Sequence, residues 1–173
     1  MLFRGHDATC RRGIDKQTYA LFDTTRMTLT RTQIVAETRQ WLGTPYRHQA
    51  SLKGVGCDCL GLVRGVWHAL FGIEPEVPPP YSSDWDMASQ QEALVQAAAR
   101  HLVRVRSAQF GAGDVLLFRW RAHLPIKHAA IVTSCEPDLM MHAYDGAAVA
   151  EVAIAPWWRR RIACVFRFPS VAD

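Results

Sequence analysis

The sequence predicts an α+β domain, with helices in its first half packed on a mostly antiparallel β-sheet built from its second half. Three observations carry this. Between residues 30 and 102 apolar side chains recur at helical period. From residue 103 onward the period shortens to that of strands. Turn signals at Gly111 to Gly113, Pro125, Pro137, Asp145-Gly146 and Pro156 cut the second half into short segments. Helices first and strands afterwards, with no internal repeat, is the pattern of a segregated α+β fold.

The elements follow in order. Residues 1–27 mix Arg, Asp, Thr and Gly without periodicity. They read as a disordered N-terminal extension or an ordinary N-terminal arm, with the compact domain at 28–173. Thr30 and Gln33 have capping-box spacing, and Ile34, Val35, Thr38, Trp41 and Leu42 then share a helix face. Gly43 and Pro45 stop that helix, and 44–57 reads as a loop. Asp58 is the N-cap of the next helix, which carries an apolar stripe of Leu60, Val63, Val66, Trp67, Leu70 and Phe71 and stops at Gly72. Gly61 and Gly65 disfavour helix by roughly 1 kcal/mol each, so their presence argues for close approach of a neighbouring backbone, as against a sheet. Val77 to Tyr81 is a proline-rich linker, and 84–102 a further amphipathic helix with Leu94, Val95, Ala98 and Leu102 inward. The strands are Val103–Val105, Asp114–Trp120, His128–Ser134, Leu139–Tyr144, Ala148–Ile154 and Ile162–Phe168.

Composition bounds the function. The 173 residues are 49% hydrophobic and 21% charged, which suits one globular domain and excludes collagen, coiled coil and wholesale disorder. The longest apolar candidate, Gly61 to Ile73, is broken by Arg64 and His68 and falls short of the ~20 residues that span a bilayer. The opening MLFRGHDATCRRGID lacks the apolar core of a signal peptide, so synthesis in the cytoplasm is expected. The net charge of +4 suits an anionic polymer. The cluster Trp157, Trp158, Arg159, Arg160, Arg161 reads as a solvated strand end with aromatics beneath it, and no nucleic-acid partner is expected.

Five cysteines, an odd number in a chain of this size, argue against a disulfide framework. Cys59 falls in the first turn of its helix, where free backbone N–H groups and the positive dipole end lower a thiol's pKa. A thiolate nucleophile needs a base, and His128 and His142 lie on neighbouring predicted strands. One can take the proton while the other orients it. Cys57, two residues from Cys59, reads as structural, and Cys135 and Cys164 as core or edge thiols. Cys57, Cys59, His128 and His142 include metal-ligating types, but Cys-x-Cys is not a zinc knuckle and no second pair exists; neither metal nor cofactor is expected.

Five segments taken together carry a resemblance. Trp41-Leu42-Gly43-Thr44-Pro45-Tyr46, Asp58-Cys59-Leu60-Gly61-Leu62-Val63, Gly113-Asp114-Val115-Leu116-Leu117-Phe118, His128-Ala129-Ala130-Ile131 and Met141-His142-Ala143 occur in the order and spacing of the NlpC family. That family comprises papain-like cysteine peptidases that cut bacterial peptidoglycan stem peptides. Arg47-His48-Gln49-Ala50 and Cys57 resemble its phage and gene-transfer-agent branch. The resemblance spans about residues 30–168. It implies Cys59 as nucleophile, His128 as general base and His142 as the residue that orients it. It places Tyr46 and the Cys59 N–H at the oxyanion, and Asp58 and Arg47 on the substrate side, with Arg47 and Lys127 the basic residues nearest in sequence. The bond implied is D-γ-glutamyl–diamino acid in a stem peptide. The setting implied is a phage virion or gene-transfer-agent particle, with tail or baseplate proteins as partners. The sequence departs from the family at Arg47-His48-Gln49, which stands where Trp-Gly-Gly is usual, at Cys57, and at Ala112-Gly113-Asp114. These changes surround the cleft, and they leave open a tail-tip component of the same fold with little hydrolytic activity, or another acyl transfer.

Overall fold

In the computed structural model, which describes residues 28–78, 93–106 and 109–172, a two-residue strand β1 (Leu29–Thr30) runs directly into helix α1 (Arg31–Arg39). The capping box forms as its spacing predicts: the Gln33 N–H donates to Thr30 Oγ1 at 3.2 Å, and the Thr30 N–H donates to Gln33 Oε1 at 2.8 Å. Ile34, Val35, Thr38 and Trp41 are buried as expected, but Leu42 is 62% exposed. The cause is local. After Arg39 the chain tightens to i→i−3 bonds, Trp41 N–H to Thr38 and Leu42 N–H to Arg39, and this rotates Leu42 off the apolar face.

The predicted loop 44–57 contains a small antiparallel hairpin, β2 (Ser51–Leu52) and β3 (Gly56–Cys57). Helix α2 (Cys59–Phe71) follows with Asp58 as N-cap, whose Oδ1 accepts the Gly61 N–H at 2.7 Å, and ends on Gly72 in the left-handed region at φ 74°. The two helix glycines do allow close approach, though not to the sheet. A Cβ on Gly61 would strike the Ala50 carbonyl oxygen, and one on Gly65 would strike the Trp41 ring. The loop before α2 and the residue after α1 therefore lie directly on this helix.

Helix α3 (Ala93–His101) buries Leu94 and Val95 and leads through buried Leu102 into β4 (Val103–Val105). The expected start of that helix at 84, the extension at 1–27 and most of the proline-rich linker lie outside the described residues. The remaining elements are β5 (Val115–Arg119), β6 (Ile126–Cys135), β7 (Asp138–His142), β8 (Ala150–Ala153), α4 (Pro156–Arg159), β9 (Ile162–Arg167) and β10 (Val171–Ala172). Six strands form one sheet in the order β4-β9-β5-β6-β7-β8, every neighbouring pair antiparallel, while β10 pairs parallel with β1.

Strand alternation divides the core. Leu117, Ile131, Met141 and Phe166 pack with Ile34, Trp41, Leu62 and Val66 under the helices. Their neighbours Leu116, Ala130, Met140 and Val165 pack on the opposite face with Phe118, Val132 and Ile154. Both faces of the central strands thus carry buried side chains, and α2 packs on β6. Among the described residues no helix is long and apolar enough to cross a membrane.

Candidate active site

The N-terminus of α2 opens onto a cleft of about 200 Å³ lined by Tyr46, His48, Asp58, Cys59, Leu60, Leu94, Trp120, Lys127, His128, Ala143, Tyr144 and Asp145. Of the sequence-predicted residues, Tyr46, Asp58, Cys59 and His128 meet here. His142 stands behind His128, its Nδ1 at 2.9 Å from His128 Nε2, with both rings almost wholly buried. Arg47 is the exception. Its side chain covers Gly56 and its Nε donates to the Val55 carbonyl at 3.2 Å, so it packs on the β2–β3 hairpin and is not part of the cleft wall. Alternation along the chain explains this: Tyr46 is turned toward the cleft, and the next side chain falls on the other side.

Asp58 does structural work at this position. It is 2% exposed, and its two oxygens accept backbone N–H groups from opposite sides, Gly61 at 2.7 Å and Gln49 at 2.7 Å. Gln49 adopts φ 63° to present that N–H, a left-handed conformation that costs a non-glycine residue some strain. Asp58 thereby holds the 47–50 loop onto the start of α2 and fixes the direction of Cys59. His48 Nδ1 lies 3.7 Å from Asp58 Oδ2 at the rim.

Cys59 occupies the expected first turn, but its thiol is not lowered in the empty cleft. Burial, with the neighbouring Asp58 carboxylate, pushes it up to about 12; N–H groups of Ala129, Leu60 and Cys59 itself approach the sulfur and act in the opposite direction. The helix-terminal stabilisation read from the sequence is real and is outweighed by desolvation. Burial, aided by His142, pulls His128 down to about 3, and burial also lowers His142. Burial, with the carboxylates of Asp58 and Asp145, raises Tyr46 to about 12, keeping its hydroxyl a hydrogen-bond donor. The resting site is therefore a neutral thiol beside two neutral imidazoles.

An aromatic enclosure surrounds the two histidines. Trp120 and Trp158 stack on His128 at 5.8 and 5.6 Å between ring centroids, Phe118 lies at 5.8 Å, and Tyr144 meets it edge-on at 5.9 Å. Trp158 also meets His142 edge-on at 5.1 Å. The Trp157–Arg161 cluster has exposed Arg159 and Arg160 with an aromatic packed beneath, as expected, but it begins in helix α4 and not at a strand end, and Trp158 backs the histidine pair. Sequence reasoning missed Trp120, Tyr144 and Trp158 as neighbours of the histidines because an aromatic just past a strand or in a short helix carries no mark of what it packs against. Cys57 is fully buried, and among the described residues no group of three or more His, Cys, Asp or Glu is placed to hold a metal.

The depressed imidazoles set a pH dependence. An unfolded His128 takes a proton near pH 6.5, whereas the folded one stays neutral until about 3. The unfolded state binds more protons in that window, so stability falls as pH drops from about 6.5 toward 3, by about 2 kcal/mol at pH 5 from His128 alone. Urea unfolding at pH 7 and pH 5 checks this: His128→Gln should flatten the slope, and an unchanged slope would refute the assignment.

By sequence, the chain matches no protein-family model and no curated protein. Solved structures do match. The NlpC/p60 domain of the peptidoglycan hydrolase SagA superposes with a TM-score of 0.58 at 20% identity, covering 81% of this chain and 100% of that domain. An NlpC/P60 family protein from Bacillus cereus ATCC 10987 gives 0.60 at 19% identity, covering 82% of this chain and 41% of that one. The fold is that of the NlpC/p60 domains. A third match, Ly7917 with the hydrolysing product of MDP, gives a TM-score of 0.52 at 13% identity, covering 80% of this chain and 63% of the other. The NlpC/p60-like chain described here thus spans all of one such domain and less than two thirds of the longer proteins.

Proposed function

We propose that this chain is a cysteine endopeptidase that hydrolyses an amide bond in peptidoglycan stem peptides, at D-γ-glutamyl–diamino acid. One observation carries the reading. The Cys59 sulfur, at the start of a buried helix, meets the N–H of Ala129, the residue next to His128, and the far nitrogen of His128 is held by His142. The fold shared with the SagA domain and the product-bound Ly7917 supports the substrate class.

The chemistry follows from the placement. With the shared proton on His128 Nε2 and donated to His142 Nδ1, the lone pair of His128 Nδ1 is left to accept the Cys59 proton. As the sulfur attacks the amide carbonyl, His128 takes that proton and the C–N bond weakens. The developing oxyanion meets the Cys59 N–H and the Tyr46 hydroxyl. His128 passes the proton to the leaving amine, leaving a thioester on Cys59. His128 then takes a proton from water, the hydroxide attacks the thioester, and the acid and the free thiol are released. The reading extends to a particle-borne enzyme, carried by a phage tail or gene-transfer agent to the cell wall.

Purified sacculi test the reading. The wild type should release muropeptides with cleaved stems and clear the suspension, and Cys59→Ala should do neither. Equal release by the two proteins, or no stem cleavage by the wild type, would refute it.

A further inference from the structure

We propose that Lys127 is a specificity-determining residue: it anchors a free carboxylate on the substrate beside the scissile amide, so that carboxylate-bearing stems are selected over amidated ones. This rests on the peptidase reading for its substrate and on independent geometry for its site.

Consecutive residues of a regular strand point to opposite faces, so Lys127 and His128 should not share a cleft. They do, and a break in the sheet accompanies it. Phe118 pairs with His128 and the next residue, Arg119, pairs with Ile126, which leaves Lys127 without a partner on β5. Such a bulge re-aims a side chain, and here it stands next to His128. Ile126, on the near side of the bulge, is buried with Leu117, Ala129 and Ile131 in the core under the helices. Lys127 is half-buried in the cleft wall with Cys59 and His128.

The charges around it favour an anion. The titratable groups facing the cleft are Tyr46, His48, Asp58, Cys59, Lys127, His128, Tyr144 and Asp145. Asp58 is committed to two backbone N–H groups, and burial keeps Cys59 and His128 neutral. Among the described residues Lys127 is the one lysine or arginine lining the cleft, and it stands against the carboxylates of Asp58 and Asp145. Asp145 acts on Tyr46, while Lys127 makes no ion pair among the described residues. The flanking chain reinforces the positive sign. Residues 119–127 and 155–161, joined by the contacts of Trp120 with Trp157 and Trp158, carry Arg119, Arg121, Lys127, Arg159, Arg160 and Arg161 and no acid. Asp138 pairs with Arg159, and Arg161 lies over the Trp157 ring, so these two segments keep an excess of positive charge in the chain that flanks Trp120 and Lys127. A carboxylate there gains a charge-assisted hydrogen bond that a carboxamide does not.

Two measurements test this on wild type, Lys127→Met and Lys127→Arg. The first is the alkylation of Cys59 by iodoacetate and by iodoacetamide, read at that residue by peptide mapping. It reports the charge at the sulfur without requiring hydrolysis. Lys127→Met should lower the iodoacetate-to-iodoacetamide rate ratio about threefold, and Lys127→Arg should keep it. The second is kcat/KM on a stem peptide with a free carboxylate and on its amide. The wild type should prefer the carboxylate about tenfold, mainly through KM, and Lys127→Met should lose the preference. An alkylation ratio indifferent to Lys127 overturns the anion site. A lowered ratio with an unchanged peptide preference overturns the selectivity. If the wild type cleaves neither peptide, the peptidase reading fails, and the alkylation ratio still decides the anion site.

Discussion

Replacing His128 by glutamine is expected to lower kcat/KM on stem peptides by at least about 10³-fold while leaving the protein folded. The size follows from the resting state. With Cys59 pushed up to about 12, a negligible fraction of the thiol is ionised at neutral pH, and attack depends on a base that removes the proton as the bond forms. His128 lines the same cleft as Cys59, and its low proton affinity there keeps it in the accepting form. Glutamine keeps a polar group within reach of His142 but supplies no base. His142→Gln should cost less, about 10- to 100-fold, because in the proposed mechanism His142 acts only through the His128 ring, 2.9 Å away. Initial rates on a synthetic stem peptide, with thermal unfolding as the control for folding, check both. Comparable losses for the two variants would make the histidines one indivisible unit; a mild His128→Gln loss would remove His128 from the mechanism.

The fold and the placement of the candidate site were partly legible in the chain. Residues whose role is local were read correctly: Thr30 and Gln33 as a capping box, Asp58 as an N-cap, Gly72 as a stop, and the strand positions of His128 and His142. Each depends on a few neighbouring residues. What escaped depends on packing between distant segments. Leu42 obeys the helical period and still faces solvent, because the helix tightens before reaching it. The helix-terminal effect on Cys59 is a local property, whereas the desolvation that outweighs it comes from the closed cleft around it. Trp158 sits in a run that reads as a charged surface, and only the fold brings it against both histidines. Arg47 and Lys127 were equal candidates for a basic cleft residue by proximity in sequence. Alternation after Tyr46 turns Arg47 onto the β2–β3 hairpin, and a register break in β6 turns Lys127 in.

Asp114→Ala is expected to destabilise the fold by about 3–5 kcal/mol, more than any surface substitution, although the residue lies outside the cleft. Its carboxylate is fully buried at the entry to β5 and has cations on two sides: Arg31 Nη1 at 3.2 Å and Arg167 Nε at 3.0 Å, both to Oδ1. Oδ2 accepts the Gly111 N–H at 2.8 Å. Three parts of the chain converge on this one group: the first residue of α1, the turn before β5 and the last residue of β9. A buried carboxylate is costly to desolvate, so the assembly as a whole adds little beyond an apolar replacement. Removing the anion alone is different, because it takes away the carboxylate that Arg31, Arg167 and the Gly111 N–H share at the entry to β5, while Arg31 keeps the Ala112 carbonyl at 2.7 Å. The exposed pair Arg39–Glu151, at 2.9 Å, is the contrasting case: Glu151→Ala should cost under about 1 kcal/mol, since solvent already screens it. Urea unfolding of the two variants separates them. Near-equal losses would mean that Arg31 and Arg167 are rehydrated when Asp114 is removed, and that β5 is held by its neighbours in the sheet alone.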